Sequence, residues 1–485
     1  MMTILNMIST AEAADAKPFN IMDVLSSIDG VIAIPLMVLI LFGGIFLTIR
    51  TRGVQFRRLG RALKYMVKNE EGGDGDVTSF GALCTALSAT IGTGNIVGVA
   101  LAISVGGPGA LFWMELAAIF GMATKYAEGL LAIKYRVTDR NGNKLGGPFY
   151  YIENGMGQRW KWLAKVFAVF GVFVGLFGIG TFSQINSISS AVGGFFNSDT
   201  VSLPWGDFSL ATIIAGAVIT VGAALVIIGG IQRISSISQV VVPFMAILYV
   251  VCVLTILGCN ITKIPETIAS VFTSAFSFEA AGGGALGGIF IAMQQGIKRG
   301  IFSNEAGLGS APIASAAAKT NDTARQGLVT MTGTFIDTIV ICTMTGLTIL
   351  VCGSHEKGLQ GVQITTDAFQ NGLSFLPPEI PAFILMVCLV FFAFTTILGW
   401  NYYSERCLAY LVGAKPIFTK IFRWVYIAAI AIGPYMTIEA VWTIADIVNS
   451  LMAIPNMFAL IMLSGVTAKE TKDYDNRQRS LKAAE

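Results

Sequence analysis

The stretch that decides the fold is Leu87-Ser88-Ala89-Thr90-Ile91-Gly92-Thr93-Gly94-Asn95-Ile96-Val97-Gly98. It lies inside an apolar run, near 79–105, that is long enough to cross a bilayer, which takes about 20 residues. Small and polar residues cluster at its centre, where freed backbone groups could not find water. Two explanations stay open. One is close helix packing through small residues. The other is an unwound helix whose N–H groups bind an anion and whose carbonyls bind a cation.

The composition of the chain supports a membrane protein. Apolar residues make up 54% of the 485 residues and charged residues only 13%, where a soluble domain carries about 25% charged residues. Mean hydropathy is +0.70. This disfavours a soluble enzyme, a nucleic-acid binder and a disordered scaffold. The seven cysteines stand singly and there is one histidine, so we expect neither enzymatic activity nor a cofactor.

Eleven apolar runs are long enough to span a membrane, near 31–50, 79–105, 109–135, 161–195, 210–230, 237–259, 283–318, 326–353, 380–412, 421–438 and 440–465. The loops between them alternate between rich and poor in lysine and arginine. The positive-inside rule therefore predicts an outer N-terminus and a cytoplasmic C-terminus. After the first run, a basic segment followed by an acidic one, 57–76, predicts an amphipathic interfacial helix and a flexible turn.

The seventh run repeats the glycine-rich pattern of the second. Its interruptions are expected at Gly282-Gly283-Gly284, Gly287-Gly288, Gly296 and Gly300. Two interrupted runs, first and sixth in a ten-run core, predict an inverted repeat of two five-helix halves. The expected organisation is a tail over 1–30, an extra helix and interfacial segment over 31–76, repeats over 77–260 and 261–466, and a cytoplasmic tail over 467–485.

Charged residues inside the runs are expensive and are often functional. Among them, Glu115 and Asp337 are the two that we expect to be consequential. Arg299 and Glu305 could form an inner gate or a static pair that ties helices together.

Several long motifs resemble the alanine/glycine:cation symporter family over roughly 31–466. They are Thr90-Ile91-Gly92-Thr93-Gly94-Asn95-Ile96, Gly106-Gly107-Pro108-Gly109-Ala110, Gly121-Met122-Ala123-Thr124-Lys125-Tyr126-Ala127-Glu128, the run from Arg299 to Pro312, Met331-Thr332-Gly333-Thr334-Phe335-Ile336-Asp337-Thr338 and Leu398-Gly399-Trp400-Asn401-Tyr402-Tyr403. The departures are Glu115, where members usually have an aromatic residue, and Asn401 and Ser404, where they usually have Ser and Gly.

The resemblance implies an all-α polytopic membrane protein of about 11 helices, with a LeuT-like 5+5 inverted repeat preceded by one extra helix. It implies import of alanine or glycine, D-alanine included, driven by sodium and in some members by protons. The inverted repeat agrees with the interpretation reached from spacing.

Within that fold a small amino acid would bind at the break near Thr93 and Gly94, whose N–H groups suit its carboxylate. The amide of Gln184 would donate to the same carboxylate, unless it only ties two helices together. Asn95 offers a carbonyl to the ammonium or to a cation. Trp400 and the stretch containing Phe290, Met293 and Gln294 are expected to wall the pocket and exclude larger side chains.

The coupling sodium is expected where the helix unwinds, because sodium takes hard oxygen ligands. Resemblance to the sodium site of the fold assigns it the carbonyls of Ser88 and Ile91 and the hydroxyls of Thr395 and Thr396. Without that resemblance the threonines would be interpreted as bonding back to their own helix.

The expected partners are alanine or glycine, sodium and the lipid bilayer of a bacterial inner membrane, with neither a nucleic acid nor an obligate protein partner. A channel, a membrane enzyme and a primary pump are the other classes considered. Two non-identical breaks in one chain disfavour a channel, and no catalytic set or nucleotide-binding loop supports the other two. Coupling by sodium or by protons, the preferred substrate, stoichiometry and oligomeric state stay open.

Overall fold

The fold is a bundle of apolar helices. The structure, a computed structural model, describes residues 20–484 except 69, 71, 140, 141, 205, 278–286 and 414. Within these residues nine helices are long and apolar enough to cross a membrane, or ten if a pair bent by 52° counts as one span. Each of the eleven predicted runs corresponds to a helix or to a pair of helices, so the predicted fold class is confirmed. The count of about eleven crossings is compatible with this arrangement.

The helices, numbered here in chain order, are α1 Ile21–Arg50, α2 Val54–Val67, α3 Ser79–Thr90, α4 Val99–Gly106, α5 Gly109–Lys134, α6 Lys161–Phe177, α7 Phe182–Phe196, α8 Leu210–Ile228, α9 Gly230–Cys259, α10 Ile264–Ala275, α11 Gly287–Asn304, α12 Ala311–Ser315, α13 Thr323–Thr334, α14 Thr343–Val351, α15 Val362–Gly372, α16 Glu379–Val412, α17 Pro416–Ile432, α18 Ile438–Met462 and α19 Ser464–Ala484.

Shorter elements complete the fold. Three π-helical segments lie at Gly94–Gly98, Tyr151–Gly155 and Phe335–Cys342, and short helical turns at Pro148–Tyr150, Gln158–Trp160, Ile261–Lys263, Ser354–Glu356 and Gly433–Tyr435. Two small antiparallel hairpins depart from a purely helical chain. They pair β1 Val137–Thr138 with β2 Lys144–Leu145, and β3 Thr200–Leu203 with β4 Gly206–Ser209.

Polar residues start several of the spanning helices. The side chains of Thr78, Ser209, Asp322 and Thr437 accept hydrogen bonds from first-turn N–H groups of α3, α8, α13 and α18. These caps satisfy donors that have no partner within the helix itself. They therefore set where each apolar helix begins.

The predicted interruption of the second run is present. Helix α3 ends at Thr90, Ile91 adopts an extended conformation, and a π-helical turn begins at Gly94. The side chain of Asn95 accepts the N–H of Gly92 at 2.9 Å. This bond satisfies a donor that the helix break has freed, as a low-dielectric interior requires.

The seventh run is interrupted after Asn304, and the interruptions predicted at Gly296 and Gly300 are absent. Helix α11 passes through Gly296 and Gly300 without a break and ends at Asn304. The helix then stops because Glu305, Gly307 and Gly309 take positive φ angles of 57°, 90° and 82°, which a right-handed helix cannot contain. The predicted interruption at 282–284 lies outside the described residues.

Gly296 and Gly300 are packing residues. A Cβ at Gly296 would lie 2.2 Å from the carbonyl oxygen of Ala110, and one at Gly300 would lie 3.1 Å from Met114 Cγ. The two glycines thus let α11 approach α5 closely, as small residues do in membrane helices. This contact explains a glycine pattern that had been interpreted as a break.

Residues 21–30 and 467–484, which were expected to belong to tails, are helical. Helix α1 begins at Ile21, within the segment predicted as a tail, and the C-terminal segment forms helix α19. The predicted interfacial helix is present as α2, and α19 packs on it through ion pairs of Asp475 with Arg57 and Arg58 at 3.2 and 2.6 Å. The interfacial helix α2 and the C-terminal helix α19 therefore lie on the same side of the bundle.

Candidate functional site

Three interrupted stretches of chain meet in the centre of the bundle. They are 91–93 between α3 and the π turn, 178–181 between α6 and α7, and 305–310 between α11 and α12. A Cβ at Gly94 would lie 2.9 Å from the Cα of Ser303, and one at Gly180 would lie 2.9 Å from the Cβ of Trp400. Backbone groups that are free of helix bonding are thereby gathered at one place.

Thr93 and Gln184 are joined directly across the first two interruptions. The N–H of Thr93 donates to Gln184 Oε1 at 3.1 Å, and Gln184 Nε2 donates to the carbonyl of Ile179 at 3.0 Å. Both residues are at most 1% exposed. Gln184 Oε1 accepts the N–H of Thr93 at a position where a carboxylate oxygen of a substrate could accept it instead. The side-chain amide of Gln184 would then be free to rotate.

Asn95 links the broken helix to Asp337. Its Nδ2 donates to Asp337 Oδ1 at 2.8 Å, and Asp337 Oδ2 accepts from the hydroxyls of Ser303 and Thr338 at 2.8 Å each. Asp337 is fully buried in the π-helical segment Phe335–Cys342. A buried carboxylate with three donors holds α11, this segment and the first break in one network.

The four residues predicted for sodium divide into two groups. Thr396 Oγ1 lies 3.3 Å from the carbonyl oxygen of Ile91, so two of the expected oxygens meet across the break, and it also lies 3.1 Å from Phe392 O of its own helix. Thr395 Oγ1 donates to Phe392 O of its own helix at 3.0 Å, and Ser88 Oγ donates to Thr85 O at 2.8 Å. The sodium ligand predicted from Ser88 is its backbone carbonyl oxygen, whereas this hydrogen bond involves its hydroxyl.

Gly92 lies in a cradle of oxygen atoms beside that contact. A Cβ at Gly92 would lie 2.5 Å from Thr396 Oγ1 and 3.0 Å from Gln184 Oε1. Carbonyl, hydroxyl and amide oxygens of this kind are hard ligands, which suit sodium. The donor set around Ile91, Gly92 and Thr396 thus fits the expected cation.

Trp400 closes another side of the centre. Its Nε1 donates to Glu305 Oε1 at 2.7 Å, and Glu305 also accepts a hydrogen bond from Ser310 Oγ. Trp400 and Glu305 are fully buried. The indole thereby holds Glu305 in its positive-φ conformation, at the point where α11 ends.

Phe290, Met293 and Gln294 are not brought to this centre. They lie in the first turns of α11, so that Gln294 is ten residues before Asn304 and roughly 15 Å from it along the helix axis. Phe290 is 38% exposed. The helix that carries them continues to Asn304, and the interruption described in this run follows that residue. Ser303 and Phe302 take the positions next to Gly94 instead.

Arg299 does not pair with Glu305. Its guanidinium makes two hydrogen bonds to Asp446, at 3.2 and 2.9 Å, and lies 4.6 Å from the centroid of the Trp442 ring. Lys298 joins the same group through Asp446 and Asp29, at 2.8 and 2.6 Å. This cluster ties α11 to α18 and α1, and the predicted Arg299–Glu305 pair is not formed in this conformation.

Helix α15, in the loop after α14, covers one approach to the break. Thr365 Oγ1 donates to the carbonyl of Ile96 at 3.3 Å, and a Cβ at Gly361 would touch Val97 at 3.9 Å. On its far side lies a cavity of 720 Å³, lined by α15 and the ends of α7 and α16. The conformation described is therefore closed between this cavity and the central site.

Sequence reasoning missed Ser303 and Thr338 as partners of Asp337, and Trp442 as a partner of Arg299. Ser303 and Thr338 each lie near a charged residue in the sequence, because Ser303 follows Arg299 by one turn and Thr338 follows Asp337 directly. A serine or threonine beside an intramembrane charge is a signal that could have found the first two. Trp442 gives no such signal, since only the fold brings it to Arg299.

The chain is similar to known membrane transporters along nearly its whole length. A model of the sodium:alanine symporter family matches residues 19–485. An uncharacterized transporter of Haemophilus influenzae is 52% identical over 94% of this chain and 97% of its own length. The sodium/alanine symporter AgcS of Methanococcus maripaludis is 46% identical over 92% of this chain and 95% of its own.

Two further similarities bear on substrate and fold. The probable sodium/glutamine symporter GlnT of Bacillus subtilis is 36% identical over 92% of this chain and 88% of its own. The crystal structure of MhsT in complex with L-phenylalanine matches with a TM-score of 0.53 and 10% identity, over 82% of this chain and 99% of MhsT. The last match concerns the fold alone, and it supports the LeuT-like arrangement of helices.

With the family model covering almost the whole chain, and with relatives matched along nearly their full length, this multi-pass membrane protein belongs to the sodium:alanine symporter family.

Proposed function

We propose that the protein imports a small neutral amino acid, alanine or glycine with D-alanine included, together with sodium. The observation that carries the proposal is the contact of Thr93 N–H with Gln184 Oε1 beside the contact of Thr396 with Ile91 O. One side of the break thus offers a donor for a carboxylate and the other offers oxygens for a cation. A substrate and its coupling ion would lie next to each other, so that binding of one would favour binding of the other.

The proposed substrate contacts involve Thr93, Gly94, Asn95, Gln184 and Trp400. The second half of the broken helix starts at Gly94 and points the positive end of its dipole at the break, which favours a carboxylate. Trp400, fully buried, leaves little room for a long side chain. Glutamine is included among the test substrates because it appears in the name of a relative.

The proposed sodium site uses the carbonyls of Ser88 and Ile91 and the hydroxyls of Thr395 and Thr396. When a cation binds, the Thr396 hydroxyl would turn its lone pairs towards it and release Ile91 O. Binding would thereby lock α16 against the first half of the broken helix. That coupling would make the substrate site beside it more complete.

The orientation and location also belong to the proposal. The alternation of basic and neutral loops supports an N-terminus outside and a C-terminus inside a bacterial inner membrane. The packing of α19 on α2 supports it too, because both carry the basic residues assigned to the cytoplasm. The two repeats proposed, 77–260 and 261–466, would then move against each other during alternating access.

A proton-coupled symporter is the second candidate. Glu115 lies in α5, where both of its carboxylate oxygens are buried, beside the side chain of Thr343. A buried carboxylate within a membrane helix is a group that could carry a proton. This observation concerns the coupling ion and leaves the amino-acid substrate unchanged.

The test is uptake of labelled amino acids into proteoliposomes, with sodium and pH gradients imposed separately and protein-free vesicles as the control. We expect saturable alanine or glycine uptake that requires an inward sodium gradient. Uptake that follows only the pH gradient would select the proton-coupled alternative. Flux that neither saturates nor accumulates substrate against its gradient would indicate a channel.

A further inference from the structure

A basic pocket lies between the end of α1 and the C-terminal helix α19, and it shares no residue with the central site. Its volume is 610 Å³, and its lining comprises Ile49, Arg50, Thr51, Arg52, Ala468, Lys469, Thr471, Lys472, Asp475, Asn476 and Arg479. We call this set the basic pocket. It plays no part in the transport site proposed above.

The basic pocket carries an excess of positive charge. Five of its residues are cationic and exposed, namely Arg50, Arg52, Lys469, Lys472 and Arg479. Its only acidic residue, Asp475, already pairs with Arg57 and Arg58. Among the ion pairs of the described residues, none involves any of the five cations, so their charge is available to an anion.

The turn between α1 and α2 contributes Thr51 and Arg52 to the lining of the basic pocket. Arg52 and Gly53 take consecutive left-handed conformations, with φ of 56° and 64°, and these turn the chain sharply from α1 into α2. The hydroxyl of Thr51 is held by the carbonyl of Leu47 at 2.8 Å. A fixed turn thus presents Arg50 and Arg52 towards α19.

An apolar face of α1 leads into the basic pocket. Ile49, itself part of the lining, is 70% exposed, and Phe46 and Phe42 on the same helix are 39% and 63% exposed. Residues spaced by three and seven positions share one face of a helix. Because α1 is one of the candidate membrane spans, this face meets lipid chains just where the cationic residues begin.

We propose that the basic pocket binds the phosphate headgroup of an anionic phospholipid whose acyl chains lie along the Phe42–Phe46–Ile49 face of α1. Charge selects an anion, and the adjoining apolar face selects a lipid over a soluble phosphate. Clusters of basic residues at the cytoplasmic end of a membrane helix attract anionic lipids in this way. A bound lipid would join α1 to α19.

The experiment measures thermal stabilisation of the purified full chain in neutral detergent by phosphatidylglycerol, with phosphatidylcholine as the zwitterionic comparison. The test variant combines Arg52→Gln, Lys472→Gln and Arg479→Gln. The matched control combines Lys64→Gln, Lys415→Gln and Lys420→Gln, which removes the same charge from exposed positions outside the basic pocket.

We expect phosphatidylglycerol, and not phosphatidylcholine, to raise the Tm of the unmodified protein and of the control. In the test variant the half-saturating phosphatidylglycerol concentration should increase roughly fivefold per residue removed, about 1 kcal/mol each, and so on the order of a hundredfold in total. If the triple variant does not fold, Lys472→Gln alone should show the fivefold increase.

Three results would overturn the proposal. One is equal stabilisation of the test variant and the unmodified protein by phosphatidylglycerol. The second is an equal loss in the control variant, which would show that diffuse surface charge is responsible. The third is the same stabilisation by inorganic phosphate at the same concentration, which would make this a site for soluble anions.

Discussion

Asn95 and Asp337 are 242 residues apart in the chain, yet Asn95 Nδ2 lies 2.8 Å from Asp337 Oδ1 and 3.0 Å from the carbonyl oxygen of Asp337. The same Asn95 accepts the N–H of Gly92 through its side-chain oxygen. One side-chain amide therefore satisfies a donor freed by the first helix break and fastens the break to the π-helical segment Phe335–Cys342. Any movement of the broken helix relative to this π-helical segment must therefore break or shift the hydrogen bonds between Asn95 and Asp337.

Asp337→Asn should reduce alanine uptake on the order of ten- to a hundredfold. The substitution keeps the shape of the side chain but replaces hydrogen bonds to a carboxylate, worth about 1.5–3 kcal/mol each, with neutral ones. Initial uptake rates in proteoliposomes measure the effect. The exposed Asp207→Asn serves as a control for loss of one negative charge, and equal rates in the two variants would refute the role of Asp337.

Thr396→Ala should raise the half-saturating sodium concentration roughly tenfold, because it removes the hydroxyl that faces Ile91 O. Alanine affinity should then fall mainly at low sodium, since coupling between two sites is reciprocal. Thr396→Ser should restore sodium dependence. Thr348→Ala is the matched control, because this hydroxyl bonds only to the carbonyl of Met344 among the described contacts.

Gln184→Ala should weaken alanine binding even at saturating sodium, because it removes the side chain that meets Thr93 N–H. A loss of one such bond corresponds to roughly tenfold or more in affinity. The measurement is the alanine concentration that half-saturates uptake at high sodium. A change in sodium dependence alone would instead move Gln184 into the cation site.

Gly92→Ala should abolish transport while Gly98→Ala should preserve it. The new Cβ at Gly92 would lie 2.5 Å from Thr396 Oγ1, whereas the nearest atom to a Cβ at Gly98 is Trp442 Cη2 at 3.7 Å. Both variants add the same methyl group to the same broken helix. The measurement is alanine uptake by the two variants at equal expression. A fully active Gly92→Ala variant would show that no ligand binds among the oxygen atoms around Gly92.

Trp400→Phe and Trp400→Ala should separate two roles of the indole. Phe keeps most of the bulk but removes the donor to Glu305, so we expect a loss of about 1.5–3 kcal/mol in the free energy of unfolding with little change in substrate preference. Ala should in addition admit larger neutral amino acids. The readouts are thermal stability and uptake of a panel from glycine to glutamine, and a stable Trp400→Ala variant with unchanged preference would remove Trp400 from the pocket.

A cysteine introduced at Ser202 should react with an impermeant thiol reagent added outside intact cells, and one at Lys415 should not. The background carries Cys259→Ser and Cys352→Ser, because the other five native cysteines are buried. Ser202 lies in the β3–β4 hairpin and Lys415 before α17. The reverse labelling pattern would invert the proposed orientation.

Local features of the sequence were sufficient to predict the membrane-spanning helices and the first helix break. Hydropathy acts residue by residue, so each apolar run predicts a helix whatever its neighbours are. Gly92, Thr93 and Gly94 lie together in a run that otherwise has membrane character, and the break is there. Thr93, Asn95, Gln184 and Trp400 could be selected because polar groups and a large indole within such runs need partners.

The second break, and the residues around it, depended on the tertiary structure. Glycines at 296 and 300 can either interrupt a helix or pack against another one, and the sequence of α11 contains nothing that separates the two. The close contact of these glycines with Ala110 and Met114 shows that they serve helix packing. The helix ends one turn later, where Glu305 accepts hydrogen bonds from Trp400 and Ser310. The distance of Phe290, Met293 and Gln294 from this helix end also depended on the tertiary structure, because a helix end set by distant partners cannot be found from local propensity.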